Sequence, residues 1–277
     1  MVFCATVAGM WRLYAVRSLV LWWRLRPRRG LSPGTRRGDN RGREWAPDAA
    51  KAHVITTDRL RSIAAWSQEL TESERERARR GIVEKAFPQG AYICHRGDRI
   101  DSWIGLISGL IKLSALSQGG KAVTLAGIRS GGWFGEGTVL KNEARQYDLV
   151  ALRDTRIALM NRVTFLWLFE NSVAFNRFLV RQLNERLGQF IALVEYDRML
   201  DAPARVARNI AWLFNPTLYP NLPPHLQISQ EEIGLLSGVS RQVANKSLKL
   251  LESKGLLRLE HGGLTVLDLG RLLRFGE

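Results

Sequence analysis

Between Ile82 and Met160 the chain breaks into short apolar runs separated by turn residues. The runs read IVEKAF, AYICH, WIGLI, LIKLSAL, AVTLAGI, YDLVALR and RIALM. The separators are Pro88-Gln89-Gly90, Arg96-Gly97-Asp98, Ser108-Gly109, Gln118-Gly119-Gly120 and Ser130-Gly131-Gly132. Strands recurring every roughly 8–12 residues with such punctuation indicate an antiparallel sandwich, barrel or roll.

On either side of this stretch the apolar period is that of a helix. Over Thr57–Arg80, Leu60, Ile63, Ala64 and Trp66 line up, and Thr71 with Glu74 forms a capping box for a second helix whose charges form a solvated face. After Asn161, Phe165, Leu166 and Leu168 predict a short helix. A long one follows Asn171, with Phe175, Phe178, Leu179, Leu183, Leu187, Phe190, Ile191 and Val194 in one narrow stripe. Arg177, Arg181, Glu185 and Arg186 lie off it. A heptad-like stripe of this length predicts pairing with a second copy of the chain. Packing on the chain's own sheet is the alternative. Pro203 fits the first turn of a further helix, Ala204 to Phe214, capped by Asp201 or a near neighbour. Residues 215–225 then form a Pro-rich loop.

Residues 227–266 carry the most specific pattern. Ser229 caps a helix, with Glu232 in the reciprocal position, Ile233, Leu235 and Leu236 turned inward, and Gly238 at its end. Ser240 caps a second helix, Arg241 to Lys254, with Val243, Ala244, Leu248 and Leu251 inward. Two short helices joined by a tight Gly turn make a helix-turn-helix. Arg241, Gln242, Asn245 and Lys246 are exposed at the start of the second helix, and Lys249 and Lys254 continue the basic face. Arginine suits guanine O6/N7, Gln or Asn suits adenine, and Lys suits phosphate. The expected DNA-binding set is Ser229, Ser240, Arg241, Gln242, Asn245, Lys246 and Lys249. Residues 255–266 read as a hairpin with a Gly-Gly turn, a wing. The competing reading is a ligand-sensing or protein-interaction module whose winged helix does not bind DNA specifically.

Composition sets outer limits. The 277 residues carry 41 Lys+Arg against 26 Asp+Glu, a net charge of +15. The length allows two domains with real cores. Residues 1–50 hold a net +7, residues 51–200 a net +6 and residues 201–277 only +2. The first fifth has no acid before Asp39, four Trp and an Arg/Gly/Pro run over residues 24–43. It reads as a disordered basic extension, residues 1–55; a membrane or nucleic-acid contact is its alternative. No apolar run approaches the ~18 residues of a membrane-spanning helix. Two cysteines, Cys4 and Cys94, exclude a disulfide framework and fit a reducing compartment. No His-Glu-x-x-His and no phosphate loop occurs, so no catalytic and no metal-binding residues are assigned and an enzyme is not expected.

Residues 56–277 resemble the Crp/Fnr family of bacterial transcription regulators. The matches are Pro88-Gln89-Gly90, Arg96-Gly97-Asp98, Ser108-Gly109-Leu110, Trp133-Phe134-Gly135-Glu136, Leu200-Asp201 with Arg205-Val206-Ala207, and Ser229 to Arg241. The resemblance implies an α+β chain: a cyclic-nucleotide-binding-like antiparallel β-roll (residues 56–170), a dimerisation helix (171–200) and a winged helix-turn-helix (201–277). It also implies a cytoplasmic homodimer on a two-fold symmetric double-stranded DNA operator, in contact with RNA polymerase, and controlled by an unidentified signal in the β-roll, an unknown small-molecule effector or none.

The effector region departs from the family's cyclic-nucleotide pattern. There, a Glu accepts from the ribose and an Arg followed by Ser or Thr pairs with the phosphate. Gly135-Glu136 is present, with Gly137 and Thr138 after it. The Arg-Ser position reads Gln146-Tyr147, or Arg145-Gln146 if the loop shifts by one, and Asp148 adds a negative charge. These residues, Gly135 to Thr138 and Arg145 to Tyr147, are the candidate effector site. Phe190 and Ile191 stand where cyclic-AMP-responsive members place small hydroxyl residues. Cyclic AMP is therefore disfavoured. An iron–sulfur cluster, which needs four cysteines, is disfavoured too, and the four scattered histidines suggest no haem site. No cofactor is identified. Cys94 reads as a buried strand residue, with a redox-active thiol as the alternative.

Overall fold

The computed structural model of the chain describes residues 55–116, 122–220 and 222–276. The expected basic extension lies outside them apart from Ile55, which is packed in the core, its carbonyl accepting from Arg79 Nη1 at 2.9 Å. The Gln118-Gly119-Gly120 turn lies outside them as well.

The expected N-terminal helices comprise α1 (Thr57–Ile63), one 3₁₀ turn (Ala65–Glu69) holding Trp66, and α2 (Glu72–Arg80). The Thr71–Glu74 capping box forms in both directions. Eight strands follow: β1 (Ile82–Phe87), β2 (Tyr92–Cys94), β3 (Ser102–Ser108), β4 (Leu110–Leu116), β5 (Ala122–Arg129), β6 (Trp133–Phe134), β7 (Asp148–Ala151) and β8 (Thr155–Asn161). A short helix, α3 (Glu136–Lys141), interrupts them before β7. They form two four-stranded antiparallel sheets, ordered β1-β8-β3-β6 and β2-β7-β4-β5. This is the β-roll expected from the runs; β6, two residues long, is too short to show an alternation.

Strands β3 and β8 of the first sheet are buried on both faces over most of their length. On β8, Ile157 and Leu159 enter the core between the sheets, with Ile104, Leu106, Ile111, Ile128 and Leu149. Ala158 and Met160 point the other way, into a second core under the helices. A strand buried on both sides reads as a continuous run, which is how RIALM appears in the sequence. The second core is built on indoles. Trp66 lies 5.4 Å from Trp103 and 5.3 Å from Trp133, and Phe175 packs edge-on to Trp66 and Trp103. Gly105 is required here, because a Cβ would stand 2.5 Å from the Trp133 ring.

After α4 (Arg162–Asn171) comes α5 (Val173–Met199), 27 residues and about 40 Å long. Its expected single stripe divides. Phe175 and Leu179 are buried in the chain's own core, Leu179 at 3% exposure, so Leu179 is not free for a partner. Phe178 is partly buried beside Trp66 and Trp103. From Leu183 on, through Leu187, Phe190, Ile191 and Val194, the stripe is exposed; Leu187 is at 59%.

The C-terminal part runs α6 (Ala202–Trp212), β9 (His225–Leu226), α7 (Gln230–Leu236), α8 (Arg241–Ser253), β10 (Leu257–Glu260), β11 (Gly263–Val266) and α9 (Leu269–Leu273). Asp201 Oδ1 caps α6 by accepting from the Ala204 N–H at 3.0 Å, with Pro203 in the first turn. The Pro-rich loop ends in β9, which adds to the wing in the order β10-β11-β9. The core of this part joins Val206, Ile210, Ile233, Leu248 and Leu264, and reaches Leu110 of β4.

Polar links hold this part to the roll. Arg129 is buried at the end of β5 and donates to the carbonyls of Leu213 (3.3 Å) and His225 (2.9 Å), over the Phe214 ring at 4.2 Å. Tyr219 donates to the Gly127 carbonyl at 3.0 Å. Arg153 makes a two-pronged pair with Glu232, at 3.1 and 3.0 Å.

Candidate nucleic-acid interface

Helix α7 is set by a reciprocal cap and α8 by a one-way cap. Ser229 Oγ accepts from the Glu232 N–H at 3.1 Å, and Glu232 Oε2 accepts from the Ser229 N–H at 2.6 Å. Ser240 Oγ accepts from the Val243 N–H at 3.2 Å. These bonds satisfy donors that a helix start otherwise leaves unmet. The turn between the helices is tight: a Cβ on Gly234 would meet the Val239 carbonyl at 2.9 Å, and Gly238 has φ +65°.

Ala244, Leu248 and Leu251 of α8 are fully buried, and Ser247 turns inward to bond the Val243 carbonyl at 2.9 Å. Arg241, Gln242, Lys246 and Lys249 point to solvent on the other side, and Lys254 is exposed just beyond the helix. Three expected positions differ. Val243 and Leu235 are exposed rather than inward. Asn245 is half-buried, and its Nδ2 donates to Gln230 Oε1 at 2.6 Å, tying α8 to α7. In the wing, the two-residue loop is His261-Gly262 rather than Gly-Gly; Gly263 begins β11, where a Cβ would stand 2.7 Å from the Leu226 carbonyl. Arg258 is engaged by Glu260, which also accepts from Thr265 Oγ1 at 2.7 Å.

In the roll, the expected effector residues come together only in part. Gly135 (φ +91°) opens α3, and the Arg145 guanidinium lies on its α-carbon, so that a Cβ there would stand 2.2 Å from Nη1. Arg145 is 1% exposed. Its Nη2 donates to the Ser102 carbonyl at 3.2 Å, while Nε and Nη1 have no partner. Glu136 is buried and accepts from Trp103 Nε1 at 3.4 Å. Gln146 points to solvent and bonds the Ala144 carbonyl at 3.1 Å. Gly137 is exposed; Thr138 and Tyr147 are half-buried. Of the two loop registers, Arg145 is the one turned inward. Asp148 is occupied by the Arg96 N–H at 2.8 Å.

Residues 84–172 match the family model of the cyclic nucleotide-binding domain, and residues 204–275 that of the Crp-like helix-turn-helix domain. The chain is similar to the cyclic AMP receptor protein of Thermus thermophilus, 30% identical over 66% of this chain and 82% of that protein. The chain belongs to the Crp/Fnr family. Another similar protein is the CRP-like cAMP-activated global transcriptional regulator of Mycobacterium tuberculosis, at 27% identity over 68% of this chain and 85% of that one. The solved structure of FixK2 from Bradyrhizobium japonicum shares the fold, with a TM-score of 0.58, 16% identity and coverage of 71% of this chain and 98% of that one.

As a Crp/Fnr member, the chain is a transcription regulator whose helix-turn-helix is its DNA-binding domain. Three residues around the candidate sites escaped the sequence reading: Gln230 beside Asn245, Trp103 on Glu136, and Arg153 on Glu232. The first pair lies fifteen residues apart, the others 33 and 79. No local pattern connects partners so distant.

Proposed function

We propose that this Crp/Fnr regulator works as a homodimer that binds a two-fold symmetric operator in double-stranded DNA, one α8 in each of two successive major grooves. The observation that carries the reading is the division of α8: one face fully buried, the opposite face presenting Arg241, Gln242, Lys246 and Lys249. Arg241 reads guanine, Gln242 reads adenine, and Lys246 and Lys249 hold phosphates. Asn245 has one amide N–H engaged by Gln230, which leaves its second N–H and Oδ1 for a base edge. Ser229 and Ser240, at the helix starts, position the backbone N–H groups toward phosphate. The exposed half of α5 supplies the dimer seam, and the bound dimer recruits or blocks RNA polymerase.

An effector in the roll shifts the seam along α5 and the break at Asp201, moving both recognition helices. The residues present do not fit cyclic AMP as they stand. Arg145 has unmet donors, but they are sealed under Gly135; Glu136 is engaged by Trp103, and Gln146 faces away. Fluorescence anisotropy on the chain's own upstream DNA, with and without cyclic AMP at about 0.15 M salt, tests both parts. Specific over scrambled binding is expected, unchanged by cyclic AMP, and Arg241→Ala should cost about 1–3 kcal/mol at the preferred site. Unaltered binding by Arg241→Ala would remove its assigned role, and affinity that rises with cyclic AMP would overturn the effector reading.

A further inference from the structure

We propose that the cavity between α1, the turns of the roll and the start of the winged helix binds a phosphorylated organic molecule of nucleotide size. The cavity measures about 620 Å³, within the ~300–1,000 Å³ typical of small-molecule sites. Arg59 and Arg61 of α1, Arg129 at the end of β5 and Arg153 in the β7–β8 turn line it, against a single carboxylate, Asp154.

The counter-ions of these arginines do not line it. Arg59 is paired with Glu84 at 2.6 Å and Arg153 with Glu232 at 3.0 Å, and neither acid belongs to the cavity wall. Asp154 is itself occupied, accepting from the Gln89 N–H at 2.8 Å. Arg61 is held only loosely, 3.6 Å from Asp58 and 3.9 Å from Glu72. Arg129 has no carboxylate partner among the described residues; burial pulls it down to about 10, against a small opposing effect of Tyr219. Arg61 keeps its paired N–H donors for phosphate oxygens, while Arg59, Arg129 and Arg153, whose donors are engaged by Glu84, by the Leu213 and His225 carbonyls and by Glu232, line the wall around it. Leu222 and Leu226 supply an apolar wall for the organic part.

The site differs from the cradle formed by Gly135 and Arg145, none of whose residues line it. It touches the stretch that leads into the DNA-binding helices, through Pro220, Leu222, Pro223, Leu226 and Gln227. A bound anion would bridge that segment to α1.

The test is calorimetric titration of the full-length protein, without DNA, with ADP and with inorganic pyrophosphate at low, matched ionic strength. We expect saturable binding of ADP, tighter than that of pyrophosphate. Arg61→Gln, at a half-exposed position outside the core, should weaken it about tenfold. Ser130→Glu, which puts a carboxylate in the wall, should abolish it, and Arg145→Gln should leave it unchanged. No binding of either probe, or pyrophosphate binding as tightly as ADP, overturns the proposal. Binding lost in Arg145→Gln but kept in Arg61→Gln overturns it too, by placing the ligand in the roll's other cradle. None of these outcomes depends on whether α8 contacts DNA.

Discussion

Cys94 lies on β2 with its side chain in the core between the two sheets, as its place in an apolar run suggested. Burial pushes its thiol up to about 12, and the opposing pull of nearby Arg145 is smaller. The reactive form of cysteine is the thiolate, so the folded chain holds this sulfur inert near neutral pH. In a Cys4→Ser background, iodoacetamide at about pH 8 should label Cys94 only along the urea unfolding transition. Labelling of the native protein at the rate of a free thiol would instead revive a redox role. Other side chains were harder to place from sequence. On α7, Ile233 and Leu236 are three positions apart and share a face, but Leu235 is turned about 200° from Ile233 at 3.6 residues per turn. It is exposed for that reason. Val243 is likewise about 100° from the buried Ala244. Apolar residues outnumbered the inward positions, and only the helix phase decides which ones turn in.

Helix α5 carries two surfaces on one period. Its first two turns close the indole core through Phe175 and Leu179; its later turns leave Leu183, Leu187, Phe190, Ile191 and Val194 exposed. Steps of three and four look the same whether the neighbour is the chain's own sheet or a second copy; the first half of the stripe packs on the chain's own core, and the pairing proposed above falls to the exposed second half. The halves should respond differently to mutation. Leu187→Glu places a charge in the exposed stripe and should convert dimer to monomer in analytical ultracentrifugation, with little change in the urea midpoint of the monomer. Leu179→Ala opens a cavity and should cost about 2–5 kcal/mol of folding stability. If Leu187→Glu sediments as the wild type does, the seam lies elsewhere. The elements with local signatures were legible throughout: the runs between Gly turns, the caps at Thr71, Ser229 and Ser240, and the Pro203 start of α6. Strands β6 and β9, two residues each, were not, because their existence depends on pairing with β3 and β11.

The roll and the winged helix meet through few polar links, and Glu232 serves both sides of the junction. It caps α7 through the Ser229 N–H and pairs with Arg153 of the roll. Its acidity reflects both. Burial raises it, but the bond from Arg153 and the Ser229 N–H outweigh burial, so the carboxyl lies below its ordinary 4.5. A carboxyl depressed in the folded state adds stability that is fully present above its unfolded value and is lost as pH falls through the folded one. The contribution of the pair should therefore hold near pH 7, begin to fall as pH drops through the unfolded value of about 4.3, and vanish only below the lower value that Glu232 has in the folded chain. Glu232→Gln isolates it, since Gln also serves at that position of a capping box while carrying no charge for Arg153. Urea unfolding from pH 3 to 7 should show a deficit of about 1–3 kcal/mol for Glu232→Gln at pH 7, shrinking toward zero at the acid end. Arg153→Met should give a similar deficit at pH 7, and there Glu232 should titrate at higher pH, because burial remains and its cation is gone. A deficit that stays constant across the range would mean that the charge of Glu232 does not account for it, and that the junction is held by the bonds of Arg129 and Tyr219 to backbone carbonyls.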